Sequence, residues 1–290
     1  MKMRVTLVVA IVAVTAIAVF TVTAFSSEEA RIMRTVPDTG AAQSRPRSEN
    51  ATASWDSELS FHQCCDDSLN EVSFARGGGT AFRSLLRYGD APVTNGTRAE
   101  VHTGGWEASH FSSGDHVYYG FSIYIVGNWE TDSQEEILFQ WHTTPDECED
   151  MKYPSAFLSV QPEGIWRLRV NSDDSPCTTP DSMTRSGFDL AEVQPGSWHD
   201  FVFEFIWDHT DEGAVNVWHQ TDKDLGWEPV LTTTGANTFN DTPSSHGYLK
   251  WGIYKPAWNT GPTHVDERVV FHDNVSFGDS FDSVDPSAER

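Results

Sequence analysis

Two short segments far apart in the chain carry side chains able to move protons: Leu138-Phe139-Gln140-Trp141-His142 and Tyr248-Leu249-Lys250-Trp251-Gly252-Ile253-Tyr254. Side chains of an extended strand alternate between its faces. Gln140 and His142 therefore share one face with Leu138, opposite Ile137, Phe139 and Trp141. Tyr248, Lys250, Gly252 and Tyr254 share a face opposite Leu249, Trp251 and Ile253. An imidazole and a phenol can act as base and acid, and an amide and an ammonium can stabilise a developing oxyanion. A lysine beside a tyrosine on one face would lower the phenol from its ordinary value of about 10. Gly252 either opens a floor where a ring can approach the backbone or marks a bulge in the sheet.

The scarce cations add to this set. Arg98 and Glu100 flank Ala99 on one strand face, and Arg167 and Arg169 oppose Trp166, Leu168 and Val170. Cleaving a uronate chain by β-elimination needs these functions together. The ring carboxylate must be neutralised, the C5 proton removed and the leaving O4 protonated. Arg, Gln or Lys can stabilise the enolate, and His142 and Tyr254 can transfer the protons, in either assignment of base and acid.

The elements that must position these groups are strands. From Trp55 onward short apolar runs alternate with Gly, Pro, Asn and Asp clusters, with no long amphipathic helical stretch and no internal repeat. The runs predict strands over 81–88, 98–102, 117–126, 136–142, 156–161, 165–170, 199–207, 214–219, 248–255 and 268–277. This is an all-β pattern, expected to form a two-sheet antiparallel sandwich of the jelly-roll, concanavalin-like kind with a concave substrate groove on one outer face.

Ahead of the domain, expected over residues 55–290, lie two other segments. Residues 1–25 read as a signal peptide or signal anchor: Lys2 and Arg4 precede an apolar run from Val5 to Phe20, and a peptidase could cut after Ala24. Residues 26–54 read as a disordered linker. The domain is thus expected outside the cytosol, secreted or tethered to the membrane only by the N-terminal segment. The four cysteines, Cys64, Cys65, Cys148 and Cys177, then suit disulfides, with pairing open: Cys148 and Cys177 could staple the loop between them, and cross-pairing with Cys64 and Cys65 is as open.

With 43 acidic against 19 basic side chains, a net charge of −24 argues against a nucleic-acid partner and requires the few cations to gather wherever a polyanion binds. It favours a soluble monomer. No His-x-His or His-Glu-x-x-His spacing suggests a catalytic metal, and no cofactor is required by the chemistry. A structural calcium could use Asp173-Asp174 or the acidic cluster from Asp208 to Glu212, which also suit solvated turns.

The Gln140-Trp141-His142 run, followed by the Lys250-to-Tyr254 segment, resembles the β-jelly-roll polysaccharide lyases that include heparin lyase I and fungal glucuronan lyases. The resemblance extends from Gln63-Cys64-Cys65 through Arg98-Ala99-Glu100, 119–124 and Trp198-His199-Asp200 to 271–275. It implies His142 and Tyr254 as the proton-transfer residues, Gln140 and Lys250 at the substrate carboxylate, and Arg98 and Glu100 ordering the cleft. The acidic chain suits a less charged polyuronate such as glucuronan better than a highly sulfated one. Two other readings use a similar scaffold: a carbohydrate-binding jelly roll without catalysis, and a glycoside hydrolase. The hydrolase needs paired carboxylates across the scissile bond, whereas adjacent Glu135 and Glu136 would face opposite ways.

Overall fold

A computed structural model describes residues 51–52, 58–224 and 226–288. The leader read over 1–25 lies outside the described residues, as does most of the tether read over 26–54. Two antiparallel sheets face each other. The first runs β13 (Glu228–Thr234), β12 (Ala214–Thr221), β11 (Ser197–Ile206), β6 (His116–Ile125), β15 (Glu267–Gly278), β4 (Ala81–Arg87) and β3 (Leu69–Val72), with β1 (Ala51–Thr52) also paired to β15. Ala51 and Thr52, within the stretch read as a tether, are thus paired to the sheet. The second runs β10 (Thr184–Glu192), β9 (Ile165–Ser172), β8 (Ala156–Val160), β7 (Glu136–Thr143), β14 (Gly247–Lys255), β5 (Thr97–His102) and β2 (Ser60–His62). A short α-helix, α1 (Phe281–Val284), follows β15.

All ten strands expected from apolar alternation form. The apolar face of each meets the other sheet, and aromatic rings fill the space between. Phe121 of β6 stacks on Phe139 of β7 at 4.0 Å between centroids, and Trp141 packs on Phe203 and Phe205 at 4.8 and 5.0 Å. Leu249, Trp251 and Ile253 of β14 join the same core. Each such ring or aliphatic group contributes roughly 1.5–3 kcal/mol by leaving water. With these positions fixed inward, the pleat turns Gln140, His142, Tyr248, Lys250 and Tyr254 to the outer face of the second sheet.

Two irregularities adjust this pattern. A register shift between Ile137 and Phe139 brings Leu138, rather than Ile137, into the core beside Phe139 and Trp141. An extra strand residue reverses the alternation locally, and the Leu138 carbonyl takes a hydrogen bond of 2.9 Å from His272 of the facing sheet. On β14 the register to β7 shifts between Trp251 and Tyr254, where Gly252 has φ +137°. A Cβ on Gly252 would lie 2.1 Å from the Ala99 carbonyl oxygen and 2.9 Å from the Glu100 Cα. The missing side chain therefore serves the close approach of β5, at the bulge that the sequence offered as one reading of this glycine.

Beyond Tyr254, a buried ion network pins the end of β14. Lys255 Nζ lies 2.9 Å from Asp132 and 2.6 Å from Glu136, and Arg268 Nε lies 2.6 Å from Glu136, all inside the protein. Breaking one partner of such a network typically costs about 3–5 kcal/mol. The cysteines pair as Cys64–Cys65 and Cys148–Cys177, the second closing a loop of sequence separation 29.

Candidate active site

Strand register assembles the site. Across the second sheet His142 pairs with Tyr248, Gln140 with Lys250, Lys250 with His102, Gly252 with Glu100, and Tyr254 with Arg98. Six of the residues singled out in the sequence, His142, Gln140, Lys250, Tyr254, Arg98 and Glu100, thereby share one outer face over three adjacent strands. Arg167 and Arg169 of β9 lie on the same face farther out, joined through Phe157 and Ser159 of β8.

Glu100 is the hub of the floor. It is 1 % exposed, accepts from Arg98 Nη1 at 3.1 Å and takes a short hydrogen bond from the Gln140 amide. Arg98 also donates to the Thr94 carbonyl at 2.9 Å and stacks over the Tyr254 ring at 3.7 Å from its centroid. Gly96 makes room for that ring: a Cβ there would lie 2.5 Å from Tyr254 Cε2. The cation held against Tyr254 is thus Arg98, whereas the ring nearest Lys250 is Tyr248, 5.7 Å from Nζ. Burial raises the Tyr254 phenol above its ordinary value, with Arg98 pulling the other way and Glu100 adding to the rise. The phenol stays protonated at neutral pH.

His142 is oriented by its own strand. Its Nδ1 lies 3.0 Å from the Thr143 carbonyl oxygen, which can only accept. Nδ1 therefore carries the proton and Nε2 presents a bare lone pair. Burial, then the Lys250 charge, push the imidazole down to about 3. Lys250 is only 3 % exposed and makes no hydrogen bond or ion pair among the described residues. Burial lowers its pKa, and Glu100 partly restores it.

Three further groups face this floor. Tyr248 packs its ring 5.3 Å from His142 and 6.0 Å from His102, and burial pushes its phenol up to about 12. His102 lies 4.5 Å from His62 of β2, and burial followed by Lys250 pushes both down to about 4. Alternation already sets Tyr248 on the face of Lys250 and Tyr254, and the same rule sets His102 on the face of Arg98 and Glu100. His62 lies on a three-residue edge strand whose apolar signal is a single Phe61.

Other expectations have clear positions. Arg167 is ion-paired to Asp189 at 2.5 Å and donates to Gln161 at 3.3 Å, whereas Arg169 makes no ion pair among the described residues. Glu136 points inward to Lys255 and Arg268, and Glu135 accepts from Gln161 at 3.0 Å. The adjacent glutamates do not form a pair across the groove. The acidic clusters considered for calcium cap turns: Asp173 accepts from the Ser175 N–H at 2.9 Å, and Asp208 from the Thr210 N–H at 2.7 Å. Among the described residues, Cys64, Cys65 and Asp90 form the grouping close enough to share an ion, and both sulfurs are in a disulfide.

Comparison with known proteins gives the same architecture. Solved structures with this fold include the endo-β-1,4-glucuronan lyase of the fungus Trichoderma reesei, at TM-score 0.70 and 22 % identity, covering 83 % of this chain and 98 % of that one. A PL-14 alginate lyase from Aplysia kurodai matches at TM-score 0.52 and 14 % identity, over 76 % of this chain and 90 % of the other. No curated protein sequence matches. A family model described as polysaccharide lyase matches residues 38–276. That match takes in the core strands of both sheets and the whole floor of the groove, and the chain belongs to the polysaccharide lyase family.

Proposed function

We propose that this lyase cleaves a uronic-acid polysaccharide, glucuronan-like in preference to sulfated, by β-elimination on the outer face of the second sheet, in an extracellular setting. The observation that carries the reading is Lys250. A buried ammonium with no ion pair among the described residues, beside Gln140 and between His142 and Tyr254, is a site awaiting a carboxylate. Leaving such a charge unpaired is costly, and a uronate carboxylate would complete it.

In this mechanism Lys250 and Gln140 hold the carboxylate and draw charge from C5, His142 Nε2 removes the C5 proton, and Tyr254 protonates the departing O4. Pairing Lys250 with the carboxylate also removes the second cause of the lowered His142 pKa, so substrate strengthens its own base. Arg98 and Glu100 position Tyr254 and Gln140. Glu100 is a carboxylate on the central floor whose oxygens are held by Arg98 and Gln140, which disfavours two-carboxylate hydrolysis. The glucuronan preference is supported by the likeness to the Trichoderma reesei endo-β-1,4-glucuronan lyase and by the acidic composition of this chain.

The test is a panel of glucuronan, alginate, heparin and heparan sulfate, followed by the ultraviolet absorbance of a new C4–C5 double bond. Absorbance rising fastest with glucuronan is expected. New reducing ends without absorbance on every polymer would overturn the elimination chemistry.

A further inference from the structure

One register row crosses the second sheet from the centre of the floor to its far edge: Lys250 on β14, Gln140 on β7, Phe157 on β8, Arg169 on β9 and Gly187 on β10. Side chains at paired positions point to the same face. Phe157 and Arg169 are both part-exposed on that face. The two arginines of β9 differ in what they already hold. Arg167 is taken by Asp189 and Gln161. Arg169 makes no ion pair among the described residues, and its Nε–H is buried without a hydrogen-bond partner. It packs against the neighbouring strand: a Cβ on Gly187 would stand 3.4 Å from both Cδ and Nη1 of Arg169, so the guanidinium side chain lies over the Gly187 backbone.

Neighbouring strands stand about 4.8 Å apart, which puts Arg169 roughly 10 Å from Gln140 across the sheet. One strand spacing is close to the advance of one 1,4-linked pyranose unit. A chain laid across the strands with one carboxylate at Lys250 and Gln140 would pass a ring over Phe157 and bring a later carboxylate to Arg169. Resting on the polyuronate reading above, we propose that Arg169 and Phe157 form a distal subsite that grips a second uronate carboxylate about two sugars from the bond being cut, so that the groove measures the spacing of negative charge along the polymer. Arg169 forms a charge-assisted bond to that carboxylate, and Phe157 offers the intervening ring an apolar face.

The test compares Arg169→Gln and Arg169→Lys with wild type on polymeric glucuronan. Arg87→Gln, which removes an exposed cation of β4 on the opposite sheet, serves as a charge control. The subsite predicts about a tenfold rise in KM for Arg169→Gln with kcat within about twofold, since a remote contact binds ground and transition states alike. Arg169→Lys should recover part of the loss, and Arg87→Gln none of the effect. A fall in kcat at unchanged KM, or an equal effect from Arg87→Gln, would overturn the subsite. A second measurement separates this proposal from the lyase reading: retention in gels containing glucuronan or a neutral β-glucan, using the Tyr254→Phe background. Loss of glucuronan retention on adding Arg169→Gln supports the subsite even if no unsaturated product ever forms. Equal retention with and without Arg169 rejects it even if the wild type is an active lyase.

Discussion

The Arg98 guanidinium carbon lies over the Tyr254 ring, 3.7 Å from its centroid, while Nη1 holds Glu100 at 3.1 Å. One cation thus positions the phenol and, through Glu100, the Gln140 amide. Replacing it by Arg98→Gln should lower kcat by about tenfold or more, in line with a lost stacked cation and a loosened acid. Because Arg98 lowers the Tyr254 pKa, its removal should move the alkaline limb of the pH–rate profile to higher pH. Glu100, 1 % exposed, would lose its charge partner, and urea unfolding should show a loss of about 3–5 kcal/mol. An unchanged alkaline limb would detach Arg98 from the phenol.

Lys250 makes the opposite prediction for stability. Its ammonium is buried and makes no ion pair among the described residues. Lys250→Met removes that unpaired charge and keeps much of the side-chain volume. The variant should be more stable than wild type by about 1 kcal/mol or more and should lose nearly all turnover. A destabilised but active variant would show that Lys250 serves the fold and not the substrate.

At Gly252 the backbone itself is at issue. Gly252→Ala would drive a Cβ to 2.1 Å from the Ala99 carbonyl oxygen at a φ of +137°. Strand β5 must then move away from β14, separating Arg98 from Tyr254. A loss of roughly 2–4 kcal/mol from overpacking and a strained backbone is expected in thermal or urea unfolding, together with reduced kcat. A variant of wild-type stability would contradict the close approach.

Acid should unfold the domain through its buried imidazoles. Burial is the leading cause in His142, His199 and His272, and each is pushed from the ordinary 6.5 to about 3. Above pH 6.5 both folded and unfolded states hold these groups neutral, and they make no pH-dependent contribution. As pH falls below that value, the unfolded chain takes up protons that the folded chain resists, so stability declines progressively toward pH 3. Each imidazole can contribute a slope of at most about 1.4 kcal/mol per pH unit. Urea titrations between neutral pH and about 4 should show this decline, and a flat profile would contradict buried neutral histidines.

Much of this was legible in the chain because central strands carry their signal twice, in alternation and in aromatic content. The ten strands read from alternation are the interior ones, and the four missed beyond the two-residue β1 are the sheet edges: β3 and β13 in one sheet, β2 and β10 in the other. An edge strand packs on one neighbour and tolerates polar residues and proline, as Pro229 and the run Thr232-Thr233-Thr234 show. Hence His62 on β2 and Gly187 beside Arg169 on β10 were not visible as parts of the groove. The swap of Ile137 and Leu138 escaped for another reason: a bulge adds one residue without changing composition. The Gln140–His142 and Lys250–Tyr254 faces survived because the bulge on β7 precedes Phe139 and the one on β14 falls at a glycine.

The central claim is that His142 and Tyr254 carry out an elimination on a polyuronate. Its most direct test follows ultraviolet absorbance during reaction with glucuronan for wild type, His142→Ala and Tyr254→Phe, at matched protein concentration and with retention on glucuronan gels confirming that each variant still binds. Wild type should give steady absorbance from C4–C5 unsaturation, and both variants rates lower by about a hundredfold or more, the scale of a lost general acid or base. Wild-type absorbance that persists at similar rates in Tyr254→Phe or His142→Ala would contradict the assignment of proton transfer to this pair.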